Sequence, residues 1–302
     1  MPLPNIEGYA TYKGWLVQRK GLADLRLIIA FLLTGCGATA AAPLHPQQAR
    51  CDASATEIEA GVSFREIRRG DQRIWLYEPC GVEQPGLVIV PPAGSNLISG
   101  MNLSDGDRPE HLPYVREGYV VVSFDIAGAV TGESDEAYAV AAERFLLDLG
   151  GLRSAQQALN VALEEVPRID RERIYAAGHS SAGTLTLVFA AAEDRVVAAA
   201  AYAPPTDVSA AYPDPEIPED YRAFLRAISP IEYAEELSRK PIFLFHALED
   251  GVVRAEETER LFNAMSPRHP RSERVTTSGS HYQPMIDEGI PRAIRWFETL
   301  TP

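Results

Sequence analysis

The sequence predicts an α/β fold: a mostly parallel central sheet flanked by helices on both faces, with a short lid insertion. Short apolar runs without alternation, such as 86–90 (GLVIV) and 119–124 (YVVVSF), read as strands buried on both sides. Between them lie stretches with apolar residues recurring at three and four, the strand–helix alternation of a layered domain. A chain of 302 residues, 46% hydrophobic and 23% charged, is globular and long enough to bury most of its unfolded surface. Disorder, coiled coil and a small disulfide scaffold are thereby excluded. Its 42 acidic against 28 basic side chains give a formal charge of −14, which repels phosphate backbones, so no nucleic-acid partner is expected.

At the amino end, residues 27–33 (LIIAFLL) follow Arg19, Lys20 and Arg26 and precede Thr34, Gly35, Gly37 and Ala38. That positive–apolar–small order is a secretory signal, and the apolar run is far shorter than the roughly 20 residues of a membrane span. Leu33-Thr34-Gly35-Cys36 resembles a bacterial lipobox, in which the Cys accepts a lipid and becomes the first residue. On this reading residues 1–36 are a signal peptide of lipoprotein type, 37–55 a flexible tether and 56–302 the folded domain. The protein is then exported to the bacterial periplasm or cell envelope and attached to the membrane through a lipid on Cys36. An ordinary cut near residues 38–42 and a fortuitous apolar start are the other readings. Cys51 and Cys80 are a disulfide candidate in an oxidising compartment, closing a loop of about 30 residues; two buried free thiols are the alternative.

Along the body, 62–68 and 73–78 alternate around Gly70-Asp71-Gln72, a hairpin. The strands 86–90 and 119–124 follow. Residues 137–166 carry continuous helical periodicity through Phe145, Leu149, Leu152, Leu159 and Leu163, read as one long helix. Strands are expected at 173–177, 196–203, 241–246 and 274–277, and helices at 184–192, 255–265 and 291–300, the last opening on Pro291. The Pro- and acid-rich stretch 206–234 reads as irregular, with a lid at about 207–234.

Ile174-Tyr175-Ala176-Ala177-Gly178-His179-Ser180-Ser181-Ala182-Gly183 puts a serine on a tight turn between a strand and a helix, flanked by small residues. This is the context a nucleophile elbow requires. Here the chain resembles the α/β-hydrolase family, whose pattern is G-x-S-x-G, with Ala182 in place of the second glycine. Ser180 and Ser181 compete as nucleophile. In the family the serine directly follows the His, which implies Ser180 and leaves the Ser181 N–H as an oxyanion donor.

The same resemblance extends over most of the chain. Residues 241–253 (PIFLFHALEDGVV) are similar to the family's P-x-L-x-x-H-G-x-x-D-x-x-V strand and turn, implying Asp250 as the acid, with Glu249 as runner-up. Of the six histidines, His45 lies in the tether, His111 in a polar loop, and His269 in a Pro/Arg-rich loop. His246 ends a strand, and His179, next to the serine, is expected to point away from it. His281 alone follows the last short strand, where the family carries its base. The triad is then Ser180, Asp250 and His281, in the chain order of this fold. The family's oxyanion loop corresponds to Pro91-Pro92-Ala93-Gly94-Ser95-Asn96. Proline has no N–H, so Ala93 is the implied donor beside Ser181, with Gly94 as alternative.

Within the family, Gly178-His179-Ser180-Ser181, the segment 202–207 (YAPPTD) and His281-Tyr282 look closest to the prolyl oligopeptidase catalytic domain and to single-domain relatives of dienelactone hydrolases. The resemblance implies a serine hydrolase cleaving a carboxylic ester through an acyl-enzyme. A small peptidase or amidase of the prolyl oligopeptidase type, acting on short peptides, is the alternative; a non-catalytic binding lipoprotein with a hydrolase fold is the third reading. No cofactor is implied, and no His-x-x-x-His or Cys-x-x-Cys spacing suggests a metal.

Overall fold

The computed structural model describes residues 55–213 and 217–300. The expected signal segment with Cys36, and the tether with Cys51 but for Ala55, lie outside the described residues. Nine strands form one sheet: β1 (Thr56–Glu59), β2 (Val62–Arg69), β3 (Gln72–Pro79), β4 (Leu87–Ile89), β5 (Val120–Phe124), β6 (Ile174–His179), β7 (Ala198–Tyr202), β8 (Ile242–Ala247) and β9 (Glu273–Thr277). Their spatial order is β1-β2-β3-β5-β4-β6-β7-β8-β9. The first three pair antiparallel and β3 joins β5 antiparallel; from β5 to β9 every pairing is parallel. The hairpin turn is tighter than expected. Gly70 takes φ +59 and Gln72 already pairs with Arg69, so the loop is Gly70-Asp71 alone.

Because both faces are covered, neighbouring strand residues alternate between two cores. Leu87, Ile89, Val120, Val122, Ile174 and Ala176 face one core with Leu152, Ala155, Leu159 and Ala162 of the helix Leu152–Glu165. Val88, Val90, Val121, Tyr175 and Ala177 face the other, with Tyr114 and Val115 of the helix Arg108–Arg116 and Ile294, Trp296 and Phe297 of the last helix, Ile290–Leu300. Tyr175 stacks on Phe297 with ring centres 4.2 Å apart. This two-sided burial is why the strands read as unbroken apolar runs.

Three expectations are corrected. The stretch 137–166 is two helices, Asp135–Leu147 and Leu152–Glu165. Between them Leu149, Gly150 and Gly151 take φ of +57, +69 and +95, a left-handed path that no helix continues. A Cβ on Gly150 would lie 2.5 Å from Ile228 Cγ2, and one on Gly151 2.7 Å from Leu185 Cδ2, so packing as well as φ demands glycine. The stretch 206–234 is not irregular. It contains Val208–Ala211, Glu219–Ala227 and the 3-10 turn Pro230–Tyr233, and Phe224 packs edge-on against Phe145. Finally, His111 is on the helix Arg108–Arg116, fully buried, with Nδ1 3.4 Å from the Tyr77 hydroxyl.

Candidate active site

Parallel strands β6, β8 and β9 all end at the same edge of the sheet, and each expected catalytic residue follows one of these ends, where open α/β sheets bind ligands. After β6 the chain turns within one residue. His179 is still extended, Ser180 takes φ +54, and the helix Ser180–Ala192 begins there. Left-handed φ is costly for a non-glycine residue and is found where the surroundings over-determine it. The turn closes because Gly178 and Gly183 have no side chain. A Cβ on Gly178 would lie 2.6 Å from the Ala182 carbonyl oxygen, and one on Gly183 2.9 Å from that of Gly178. Ala182 is wholly buried and fits, so the departure from G-x-S-x-G leaves the bend intact.

The acid turn follows β8. Asp250 Oδ2 lies 2.6 Å from His281 Nδ1 and 3.3 Å from His246 Nε2, while Oδ1 accepts from the Val252 and Val253 amides at 2.8 and 2.9 Å. Burial pushes this carboxyl up, but the bonds from His281 and the two amides outweigh it and hold it below the usual carboxylate range. His281 therefore carries its proton on Nδ1 and leaves Nε2 as an acceptor. The runner-up Glu249 is turned elsewhere: its carboxylate accepts from the Gly279 amide, tying the acid turn to the loop that bears His281.

Ser180 Oγ makes no hydrogen bond among the described residues, while its two neighbours do. His179 Nε2 bonds the His281 carbonyl oxygen at 3.0 Å, and the two imidazole rings are 4.5 Å apart. The His179 ring, expected to point away from Ser180, packs against the base loop, edge-on to Tyr282 as well. Its Nδ1 lies 4.0 Å from Glu110 Oε1. Burial first, and then His281, lowers the His179 pKa to about 4, so the ring is neutral near pH 7. On the other side, Ser181 Oγ accepts from the Gly94 and Ser95 amides, each at 3.0 Å.

That pair of bonds distinguishes the two amides of the expected oxyanion loop. The Gly94 amide is occupied, whereas the Ala93 amide makes no hydrogen bond among the described residues. The Ser181 amide is in the first turn of its helix, where N–H groups have no intrahelical partner. Asn96 Oδ1 braces the loop by accepting from the Ile98 and Ser99 amides at 3.1 Å, and Tyr212 donates its hydroxyl to the Asn96 carbonyl. Of the other candidates, Cys80 is disulfide-bonded. Cys36 and Cys51 lie outside the described residues, and His45 with them. No cluster of His, Cys, Asp and Glu able to hold a metal occurs among the described residues.

A model of the prolyl oligopeptidase family matches residues 109–285. No curated protein matches the chain. Among solved structures, the chain is similar to the Pyrococcus horikoshii acylaminoacyl peptidase at TM-score 0.58 and 17% identity, covering 80% of this chain and 41% of that one. A puromycin-hydrolysing peptidase of Mycobacterium tuberculosis gives TM-score 0.60 and 19% identity, with 82% and 40% covered. A butyrate-bound esterase of Thermogutta terrifontis gives TM-score 0.57 and 16% identity, with 80% and 94% covered. The chain thus spans about two fifths of the length of these peptidases and nearly all of the esterase. These likenesses show the α/β-hydrolase fold.

Proposed function

The chain belongs to the prolyl oligopeptidase family, and we propose that it is a serine hydrolase cleaving carboxylic esters through Ser180, His281 and Asp250. The observation that carries this reading is the 2.6 Å bond from His281 Nδ1 to a buried Asp250, beside a serine held at φ +54 on the strand–helix bend. A serine hydroxyl is a weak nucleophile until an oriented imidazole takes its proton. His281 Nε2 accepts the proton of Ser180 as Oγ attacks the ester carbonyl carbon. The Ala93 and Ser181 amides stabilise the oxyanion, each donor contributing about 3 kcal/mol to lowering the barrier. Collapse breaks the ester C–O bond, and the imidazolium returns the proton to the departing alcohol. Water, deprotonated by the same imidazole, then hydrolyses the acyl-enzyme to the carboxylic acid and free Ser180. The proton transfer needs Ser180 Oγ to close on His281, as catalytic hydrogen bonds commonly tighten only with substrate bound.

Ester is preferred to amide because an alkoxide leaving group needs less protonation than an amine, and because the chain spans nearly the whole of an esterase with this fold. The second reading is a small peptidase or amidase, supported by the likeness to the puromycin-hydrolysing peptidase. Ser180→Ala is expected to abolish both turnover of p-nitrophenyl acetate and labelling by a fluorophosphonate; residual activity would refute the mechanism. Faster cleavage of aminoacyl-anilides than of short esters selects the peptidase. The positive–apolar–small segment ahead of Cys36 supports a reading of export to the bacterial periplasm or cell envelope with a lipid on that thiol.

A further inference from the structure

The site is assembled from an elbow, an acid turn and two further loops that come from distant parts of the chain, and each of those two loops, the oxyanion loop and the base loop, is bonded to a side chain adjacent to Ser180. We infer that His179 and Ser181 are positioning residues: His179 holds the base loop through the His281 carbonyl, and Ser181 holds the oxyanion loop through the Gly94 and Ser95 amides. The inference deepens the hydrolase reading and rests on it.

For the oxyanion loop the argument is one of donors and acceptors. A hydroxyl oxygen has two lone pairs, and Ser181 gives one to each amide at 3.0 Å. Pro91 and Pro92 have no N–H to anchor the loop from its start, and Gly94 sits at φ +105, where the backbone is otherwise free to swing. With Gly94 and Ser95 pinned on Ser181, the Ala93 N–H is the amide left to point at the reacting carbonyl. For the base loop, the His281 carbonyl can only accept, so His179 carries its proton on Nε2 and stays neutral. The groups facing that ring are Glu110 from the helix Arg108–Arg116, His246 and Asp250 from β8 and its turn, and His281 itself. The bond sets the height of His281 against Ser180 by tying the His281 backbone to the side chain of the residue just before the nucleophile.

The test compares Ser181→Ala with Ser181→Thr, and His179→Phe with His179→Gln, following kcat, KM and the pH profile on p-nitrophenyl acetate. Amide hydrogen exchange of 93–96 and 278–282 is measured in parallel. Ser181→Ala should lower kcat about a hundredfold with KM changed less than about threefold, since a misplacement near 1 Å has that effect. The Gly94 and Ser95 amides should exchange faster, and Ser181→Thr should recover most of both. His179→Phe keeps the ring but loses the donor; it should lower kcat at least about tenfold and move the acid limb of kcat/KM, and His179→Gln, which restores an N–H, should rescue it. Wild-type kcat and pH profile in Ser181→Ala and His179→Phe overturn the inference, even where melting temperature falls or exchange quickens, because the role is then structural only. A wild-type protein that is inert and unlabelled at Ser180 refutes the hydrolase reading instead. In that case exchange alone judges the two contacts, and unchanged protection in both variants overturns them.

Discussion

Asp250 accepts from His281 and two backbone amides, with His246 Nε2 3.3 Å away and bonded to the Val253 carbonyl, so its carboxylate is held in place and stays ionised near neutral pH. Asp250→Asn keeps the volume but presents an amide N–H to His281 Nδ1, forcing the imidazole to offer its other tautomer to Ser180. The expected result is a folded protein with kcat lowered about a thousandfold or more; a fall under tenfold would take Asp250 out of the mechanism. Glu110 behaves in the opposite sense. Burial, and next Asp107, push its carboxyl up to about 8 from an ordinary 4.5. Between those values the folded chain holds a proton that the unfolded chain has released, so stability falls as pH rises through that window and levels off above it. Glu110→Gln should melt with the wild type at pH about 4 and at least about 3 °C above it at pH about 9; coincident melting at the higher pH contradicts this. Sequence reasoning named Asp250 because the family's turn is written in consecutive residues. It could not assign His179 a contact, since the partner carbonyl is 102 residues away.

At the scale of elements, the elbow leaves no room for a side chain at Gly178. Gly178→Ala forces a methyl group to within 2.6 Å of the Ala182 carbonyl oxygen and of Thr186 Oγ1, so β6 and its helix must part. The expected outcome is loss of fluorophosphonate labelling at Ser180 together with a lower melting temperature; a variant labelled at the wild-type rate would show that the bend can relax. Strands were legible because two-sided burial writes them as apolar runs. The helix Arg108–Arg116 was not, since Pro109 and Pro113 interrupt its pattern and its buried positions include Glu110 and His111. The break at 148–151 was missed for a different reason. Periodicity continues across it, and what stops the helix is the glycine pair fitting against Leu185 and Ile228 from other elements. The helices Val208–Ala211 and Glu219–Ala227 are hidden in the sequence because the prolines that flank them, Pro205, Pro213 and Pro218, outweigh a short apolar stripe of Tyr221, Phe224 and Leu225.

For the whole molecule, Cys80, the residue that follows β3, is disulfide-bonded. With Cys51 as partner, Cys51→Ser should expose one additional titratable thiol on unfolding and lower stability by about 3 kcal/mol, the value for a loop of roughly 30 residues. A Cys51→Ser protein with no additional thiol would assign the bridge to Cys36. The layered α/β class, the sheet's parallel body, and the order of Ser180, Asp250 and His281 along the chain were all determined by the sequence alone, because each is carried by local periodicity or by a turn of a few adjacent residues. Three matters were decided only by the tertiary structure: that Asp250 rather than Glu249 meets the base, that Ser181 occupies the Gly94 amide and leaves Ala93 free, and that His179 sits beneath His281. These are contacts between residues 31 to 102 positions apart, and separation along a chain carries no record of proximity until the sheet folds its strand ends to one edge.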